Sequence, residues 1–335
     1  MFDAYLGTTA GVLRASEATL EPLGLQSEDV SAIHAWAEGD ATTILAGTYG
    51  NGLFRSADDG RRWSRVGDGL TASAFRFLGP DPRDPAALLA GTEPARLFRS
   101  VDGGLTWEEL AGIARIEGHD RWFLPYSPRA GAARNVYVHA RRAGRMLVAA
   151  EVAGLLRSDD HGRTWVCEAV TDDREEDLHF VTGHPGDPDL LYAATGSASL
   201  TPRAPNDPPR RHGGIARSRD GGTSWEKVET DYTRAIMVPP ARPDLLLAGP
   251  AAKVGRGGRI VVSSDGGDTW DPAGAGVDVP MPDMVELFVA APGDEVWAIC
   301  SQGRLLRTTP GQWSWSSALP ADAGPAVKSL AFVSS

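Results

Sequence analysis

The sequence predicts an all-β fold: one seven-bladed β-propeller of four-stranded antiparallel blades, its ring closed by N- and C-terminal strands that share one blade. Three observations predict it. An octapeptide of the form Ser-x-Asp-x-Gly-x-x-Trp recurs at residues 56–63, 100–107, 158–165, 218–225 and 263–270, with an eroded copy at 308–315. The tryptophans ending these copies (Trp63, Trp107, Trp165, Trp225, Trp270, Trp315) lie 44, 58, 60, 45 and 45 residues apart, and a base period near 45 fits one four-stranded blade. Each end of the chain carries part of a further unit that neither end completes alone.

The octapeptide is built to reverse the chain. In Ser100-Val101-Asp102-Gly103-Gly104-Leu105-Thr106-Trp107 the Asp carboxylate can accept hydrogen bonds from backbone N–H groups further on, closing a turn without a strand partner. The Gly supplies a positive φ that other residues resist. The Trp opens the returning strand with a large flat surface to bury. An apolar run ending in Arg precedes the copies (Leu53-Phe54-Arg55, Leu97-Phe98-Arg99, Leu155-Leu156-Arg157), so the local pattern is strand, tight turn, strand.

Along the chain, Tyr5-Leu6-Gly7-Thr8, Gly11-Val12-Leu13-Arg14-Ala15 and Thr19-Leu20-Glu21-Pro22 read as second, third and fourth strands lacking a first. Six complete blades follow, at about 30–66, 74–112, 135–170, 177–230, 233–274 and 284–318. Within each, an apolar A strand leads through a Pro/Asp turn to a B strand, as in Phe77-Leu78-Gly79-Pro80-Asp81 before Leu88-Leu89-Ala90-Gly91-Thr92. The C strand, the octapeptide and the D strand complete the blade. Blade 6 has Pro310 and Gln312 where Asp and Gly stand in the other copies. Val327-Lys328-Ser329-Leu330-Ala331-Phe332 is then an A strand with nothing after it. Joining 327–333 to 2–22 makes the seventh blade and removes the two open sheet edges of an unclosed array, so residues 1–335 form one domain.

These octapeptides resemble the Asp-box (BNR) repeats of the sialidase-like β-propeller superfamily, and the resemblance covers nearly the whole chain. It implies the fold, with the box as a structural turn. It does not bring sialidase chemistry: no Arg-Ile-Pro precedes the first copy, and the expected ring has seven blades where sialidases have six. Xyloglucan-cleaving relatives clasp a glycan between two seven-bladed domains, and this chain supplies one. The layout is similar to that of the seven-bladed photosystem II assembly-factor propellers, which act by binding.

Composition bounds the function. With 42% hydrophobic and 23% charged residues the chain can bury a core. A net charge of −11 argues against nucleic acid or an anionic membrane as partner. No secretory signal is visible at the N-terminus and no apolar run is long enough for a membrane span, so a cytoplasmic location is expected. Cys167 and Cys300 stand in different repeats and give no disulfide framework.

In propellers of this kind the D–A and B–C loops share the face that meets ligands, and both long intervals place insertions there: residues 112–134, and the B–C loop of blade 4 at 197–212. The second insertion carries Arg203, Arg210, Arg211 and His212; with Lys253, Arg256 and Arg259 of blade 5 these form a basic rim suited to a carboxylate, sulfate or phosphate. Arg76 and Arg234 are further anion clamps. Residues 172–177 form an acidic run, most simply a solvated surface. His34, His139 and His179 fall in A strands and are candidates for a transition-metal site at the channel axis, although strand parity does not place all three on one side. Acid–base candidates near the channel mouth are Glu117, His119, Asp120, Asp177, Tyr232 and Glu286. The expected function is a binding propeller recognising a protein partner or an anionic small molecule or saccharide. The alternative is a hydrolase or lyase on an acidic glycan, or a metal-assisted enzyme using the axial histidines.

Overall fold

The computed structural model describes residues 2–16, 19–123, 130–170, 176–197, 213–229, 231–320 and 324–334. It contains seven antiparallel sheets, each of at least four strands and each one blade of a ring. The inner A strands are Val30–Glu38, Ala74–Asp81, Ala133–Val138, Glu176–His184, Tyr232–Met237, Val285–Ala291 and Val327–Ser334. The last of these pairs with Phe2–Thr8, with Leu6 opposite Leu330 and Tyr5 opposite Ala331. The ring is therefore sealed by both ends of the chain. Among the described residues no helix is long and apolar enough to cross a membrane.

The octapeptide turns behave as their chemistry requires. Ser100 Oγ donates to Asp102 Oδ1 at 2.8 Å and accepts from Gly104 N at 2.9 Å. Asp102 Oδ1 also accepts from Leu105 N and Thr106 N, while Thr106 Oγ1 donates to Oδ2 at 2.6 Å. The same pattern at Asp160, led by the hydroxyl of Thr164 and then its backbone N–H, pulls that carboxyl down to about 2. Gly104 is required twice over: its φ is +85°, and a Cβ there would stand 2.6 Å from Leu45 Cδ1 of the preceding blade.

Cores form between neighbouring blades. Leu89 and Leu97 of blade 2 share one cluster with Met146, Val148, Leu156 and Trp165 of blade 3. Trp107 packs among Leu45, Leu53, Phe75 and Phe98. Even in the eroded copy Trp315 is only 2% exposed and its Nε1 donates to Ala273 O at 2.8 Å. The apolar contact thus survives where the polar turn has been lost.

Blade 5 departs from the expected plan. Its B strand runs on to Lys253 and folds back as a short added strand, Arg256–Gly258, with Lys253 opposite Arg256. What reads as a basic loop in the sequence is a hairpin, turned at Val254-Gly255 with Gly255 at φ +75°.

Candidate functional site

Every A strand carries a β-bulge at the same place. Val30 and Ala32 oppose consecutive B-strand residues, leaving Ser31 extra, and the register shifts likewise at Arg76, Arg134, His179, Glu286 and Lys328. In blade 5 Arg234 and Ala235 together face one residue. A bulge leaves its extra residue unpaired and re-aims the side chain. Here Ser31, Arg76, Arg134, His179, Arg234, Glu286 and Lys328 all line one cavity of about 470 Å³ at the channel mouth. Among the described residues its wall carries four permanent cations (Arg76, Arg134, Arg234, Lys328) and two carboxylates (Asp29, Glu286). The lining is positive within a chain of charge −11.

Further carboxylates sit behind this wall. On one side Arg76 donates to Glu93 from Nη2 at 2.7 Å and from Nε at 3.1 Å, and Tyr49 Oη lies 3.0 Å from both Glu93 oxygens. The Arg76 guanidinium also stacks 4.7 Å above the Tyr49 ring. Lys328 Nζ meets Asp29 Oδ2 at 2.6 Å.

On the other side a continuous polar chain crosses blades 6, 5 and 4. Arg234 Nη1 donates to both Glu286 oxygens at 3.0 and 2.9 Å, and its Nε donates to Tyr232 Oη at 2.6 Å. Tyr232 Oη lies 3.0 Å from His179 Nε2, which is 3.1 Å from Asp177 Oδ2. Burial pushes the Glu286 carboxyl up, but the charges of Arg234 and Arg134 outweigh it and the net shift is down. At Asp177 burial is likewise outweighed, by His179 first and then by Arg234 and Arg134, so it too stays ionised. Burial drives the Tyr232 phenol up. Arg134 has the longest ionic contacts of the three wall arginines, 3.5 Å to Glu151 Oε2 and 3.9 Å to Glu286 Oε2. Its guanidinium retains the most capacity to receive a ligand.

The structure thus brings together Arg76, Asp177, His179, Tyr232, Arg234 and Glu286 from the residues singled out in the sequence. It does not bring the three axial histidines together. His34 stacks on Trp36 with ring centroids 5.5 Å apart, and burial pulls its imidazole down to about 4. His139 stands at the far end of its strand, where Nδ1 accepts from Arg141 N and Arg142 N and Nε2 faces Asp189 Oδ1 at 3.2 Å, a turn-closing arrangement. Glu117 and Asp120 are exposed on the insertion before blade 3, and His119 binds Ala95 O through Nε2 at 2.8 Å; none of the three lines the cavity. Lys253 and Arg256 are exposed on the added hairpin, and Arg259 pairs with Asp231 at 2.7 Å. Arg203, Arg210, Arg211, His212 and residues 172–175 lie outside the described residues.

Arg134, Glu151, Glu93, Tyr49 and Lys328 escape a sequence reading. One signal was available: the triplets Val30-Ser31-Ala32, Phe75-Arg76-Phe77, Leu178-His179-Phe180 and Val285-Glu286-Leu287 each hold a polar residue between less polar ones at the A-strand start. Aligning blades on that position exposes the ring.

The chain is similar to a GH74 xyloglucanase from Xanthomonas campestris, at 20% identity and a TM-score of 0.67 over 99% of this chain and 52% of that one. It is similar to YCF48 bound to a D1 peptide, at 18% identity and a TM-score of 0.59 over 92% of this chain and 89% of that one. YCF48 from Cyanidioschyzon merolae gives 16% identity and a TM-score of 0.61, over 92% and 91%. What they share is the fold. The chain spans about half the length of the xyloglucanase. No protein-family model matches the sequence, and no curated protein matches it.

Proposed function

We propose that this chain is a binding propeller that receives an anionic group of its ligand, carried by a protein segment or a saccharide, at the channel mouth. One observation carries the reading: seven aligned bulges turn seven side chains into a single cavity, and four of them are cations in an otherwise acidic protein. Arginines fixed by Glu93 and Glu286 present pre-ordered donors, so little side-chain freedom is lost when a carboxylate arrives. Arg134, with its long contacts, supplies the hydrogen bonds that a ligand completes. The likeness to peptide-bound YCF48 extends over nearly the whole of both chains and supports this reading at the level of architecture. Isothermal titration with carboxylate-ended peptides and their amides, and with acidic and neutral oligosaccharides, tests it. Binding should require the negative group and fall in Arg134→Ala. Equal binding of charged and neutral ligands would sink the proposal.

A second reading, an enzyme acting on an acidic glycan, is favoured by the contact between Tyr232 and the buried His179–Asp177 pair. A hydrolase of the two-carboxylate type needs one carboxyl kept protonated near neutral pH. Asp177 and Glu286 are both held on the ionised side instead. That leaves proton donation by Tyr232, whose phenol is held protonated by burial, to a leaving glycosidic oxygen in a lyase-like role. Formation of new reducing or unsaturated ends from acidic polysaccharides by the wild-type chain, abolished in Tyr232→Phe, is its test.

A further inference from the structure

We infer that the anion received at the channel mouth is a carboxylate joined directly to an apolar group, which reaches down the channel below the wall cations. The inference rests on the anion reading above and narrows it, setting an apolar acid against an acidic saccharide.

The order of side chains along the A strands carries it. The bulge residues, Arg76, Arg134, Arg234 and Lys328 among them, stand near the mouth end of their strands. Further along the same strands Phe77, Phe180 and Leu287 line the cavity one position beyond a bulge. Ile33 and Leu330 line it two positions beyond, and Val289 three. At about 3.3 Å per residue these six side chains lie roughly 3–10 Å below the charges. Phe77, Phe180, Leu287 and Val289 are only half-buried: each packs one side against the core between two blades and lines the cavity with the other. Apolar surface left bare beneath a charged mouth is surface that a ligand stabilises by covering.

The polar side chains of the lining decide between ligands. Ser31 Oγ donates to Phe75 O at 2.7 Å, Ser301 Oγ to Gly255 O at 3.3 Å and Ser329 Oγ to Val30 O at 3.4 Å. The Asn135 amide donates to Val181 O at 2.9 Å and accepts from Val181 N at 2.8 Å. All four are engaged within the protein. A uronate seated by its carboxylate would turn its ring hydroxyls onto Phe77, Phe180 and Leu287, which cannot pair them, and a hydroxyl buried unpaired is costly. A group the size of a leucine or phenylalanine side chain reaches the same depth and gains on leaving water. The cavity, about 470 Å³, holds such a group together with its carboxylate. The chemistry has two sources: a peptide end whose last residue is apolar, and a free aliphatic or aryl acid.

The test is isothermal titration of the full chain with N-acetyl-leucine, its amide, N-acetylglycine, glucuronate and 4-methylpentanoate. N-acetyl-leucine should bind about tenfold or more tighter than N-acetylglycine or glucuronate, and its amide should not bind. Leu287→Asn, checked for folding by circular dichroism, should cut the preference for N-acetyl-leucine over N-acetylglycine about threefold or more. Val289→Thr, nearly equal in shape, should cut it in the same direction. N-acetylglycine or glucuronate binding within twofold of N-acetyl-leucine overturns this inference and leaves the anion reading standing. Equal binding of N-acetyl-leucine and its amide overturns both. A folded Leu287→Asn protein with the wild-type preference overturns the inference alone. Where the preference holds, 4-methylpentanoate matching N-acetyl-leucine assigns the site to free acids, and weaker 4-methylpentanoate assigns it to peptide ends.

Discussion

The octapeptide turns and the bulge ring are both repeated around the propeller, and they repeat opposite things. At the turns the side chains recur: Ser, Asp, Gly and Trp close their own hydrogen bonds, as Ser158, Asp160 and Gly162 do, and the Asp is spent on its own backbone. At the bulges the backbone recurs and the side chain varies, from Ser31 through Arg76 to His179 and Glu286. A repeated residue marks a structural task that every blade must solve. A repeated backbone device filled by different residues marks a position whose side chain the fold leaves free, and the proposed binding role rests on that freedom.

Four substitutions separate the two kinds of repeat. The largest effect is expected from Trp165→Ala, which empties a ring 8% exposed from the core shared by blades 2 and 3. Denaturant melts should show a loss of about 3–5 kcal/mol with ligand affinity unchanged. Arg134→Ala should do the reverse. It removes charge-assisted hydrogen bonds worth about 1.5–3 kcal/mol to the ligand, while the melt moves little because its ionic contacts within the protein are long. An Arg134→Ala protein that melts far below wild type would place this arginine among the structural residues.

His34 tests the inner strand away from the mouth. Its folded value, about 4, lies below the ordinary imidazole value, so the unfolded chain takes up the proton first. Stability is complete above about pH 6.5 and falls as the pH drops from there towards 4, by on the order of 2 kcal/mol. Thermal melts across that range should be flatter in His34→Gln. The smallest change is Asp102→Ala. It deletes a hydrogen-bonded but exposed turn carboxylate, and should cost about 1 kcal/mol in a melt without touching binding.

The same contrast explains what a reader of the sequence can see. Trp63, Trp107 and their counterparts announce the blades because one residue type performs one task at a nearly fixed interval. The shared seventh blade is legible because Tyr5–Thr8 and Val327–Phe332 are each incomplete without the other. The site is legible only in part. Arg76, Arg234, Tyr232 and Glu286 can be named as charged or polar residues near strand starts, but a bulge leaves no trace in a period-two pattern. Arg134 therefore passes for the end of an insertion. His139 passes for an axial ligand when it caps the far turn of its strand. Glu93 and Glu151 act from behind the wall through partners more than a dozen residues away, a relation that appears only once the A and B strands of one blade pair.

Lys328, one of the seven side chains at the mouth, is carried by the strand that zips onto Phe2–Thr8. Whatever grips that lysine also holds the zipper shut, so occupancy and closure are thermodynamically linked. A saturating guest should slow the fraying of the chain's last strand, seen as slower amide exchange from Leu330 to Val333, before it alters anything in the outer strands.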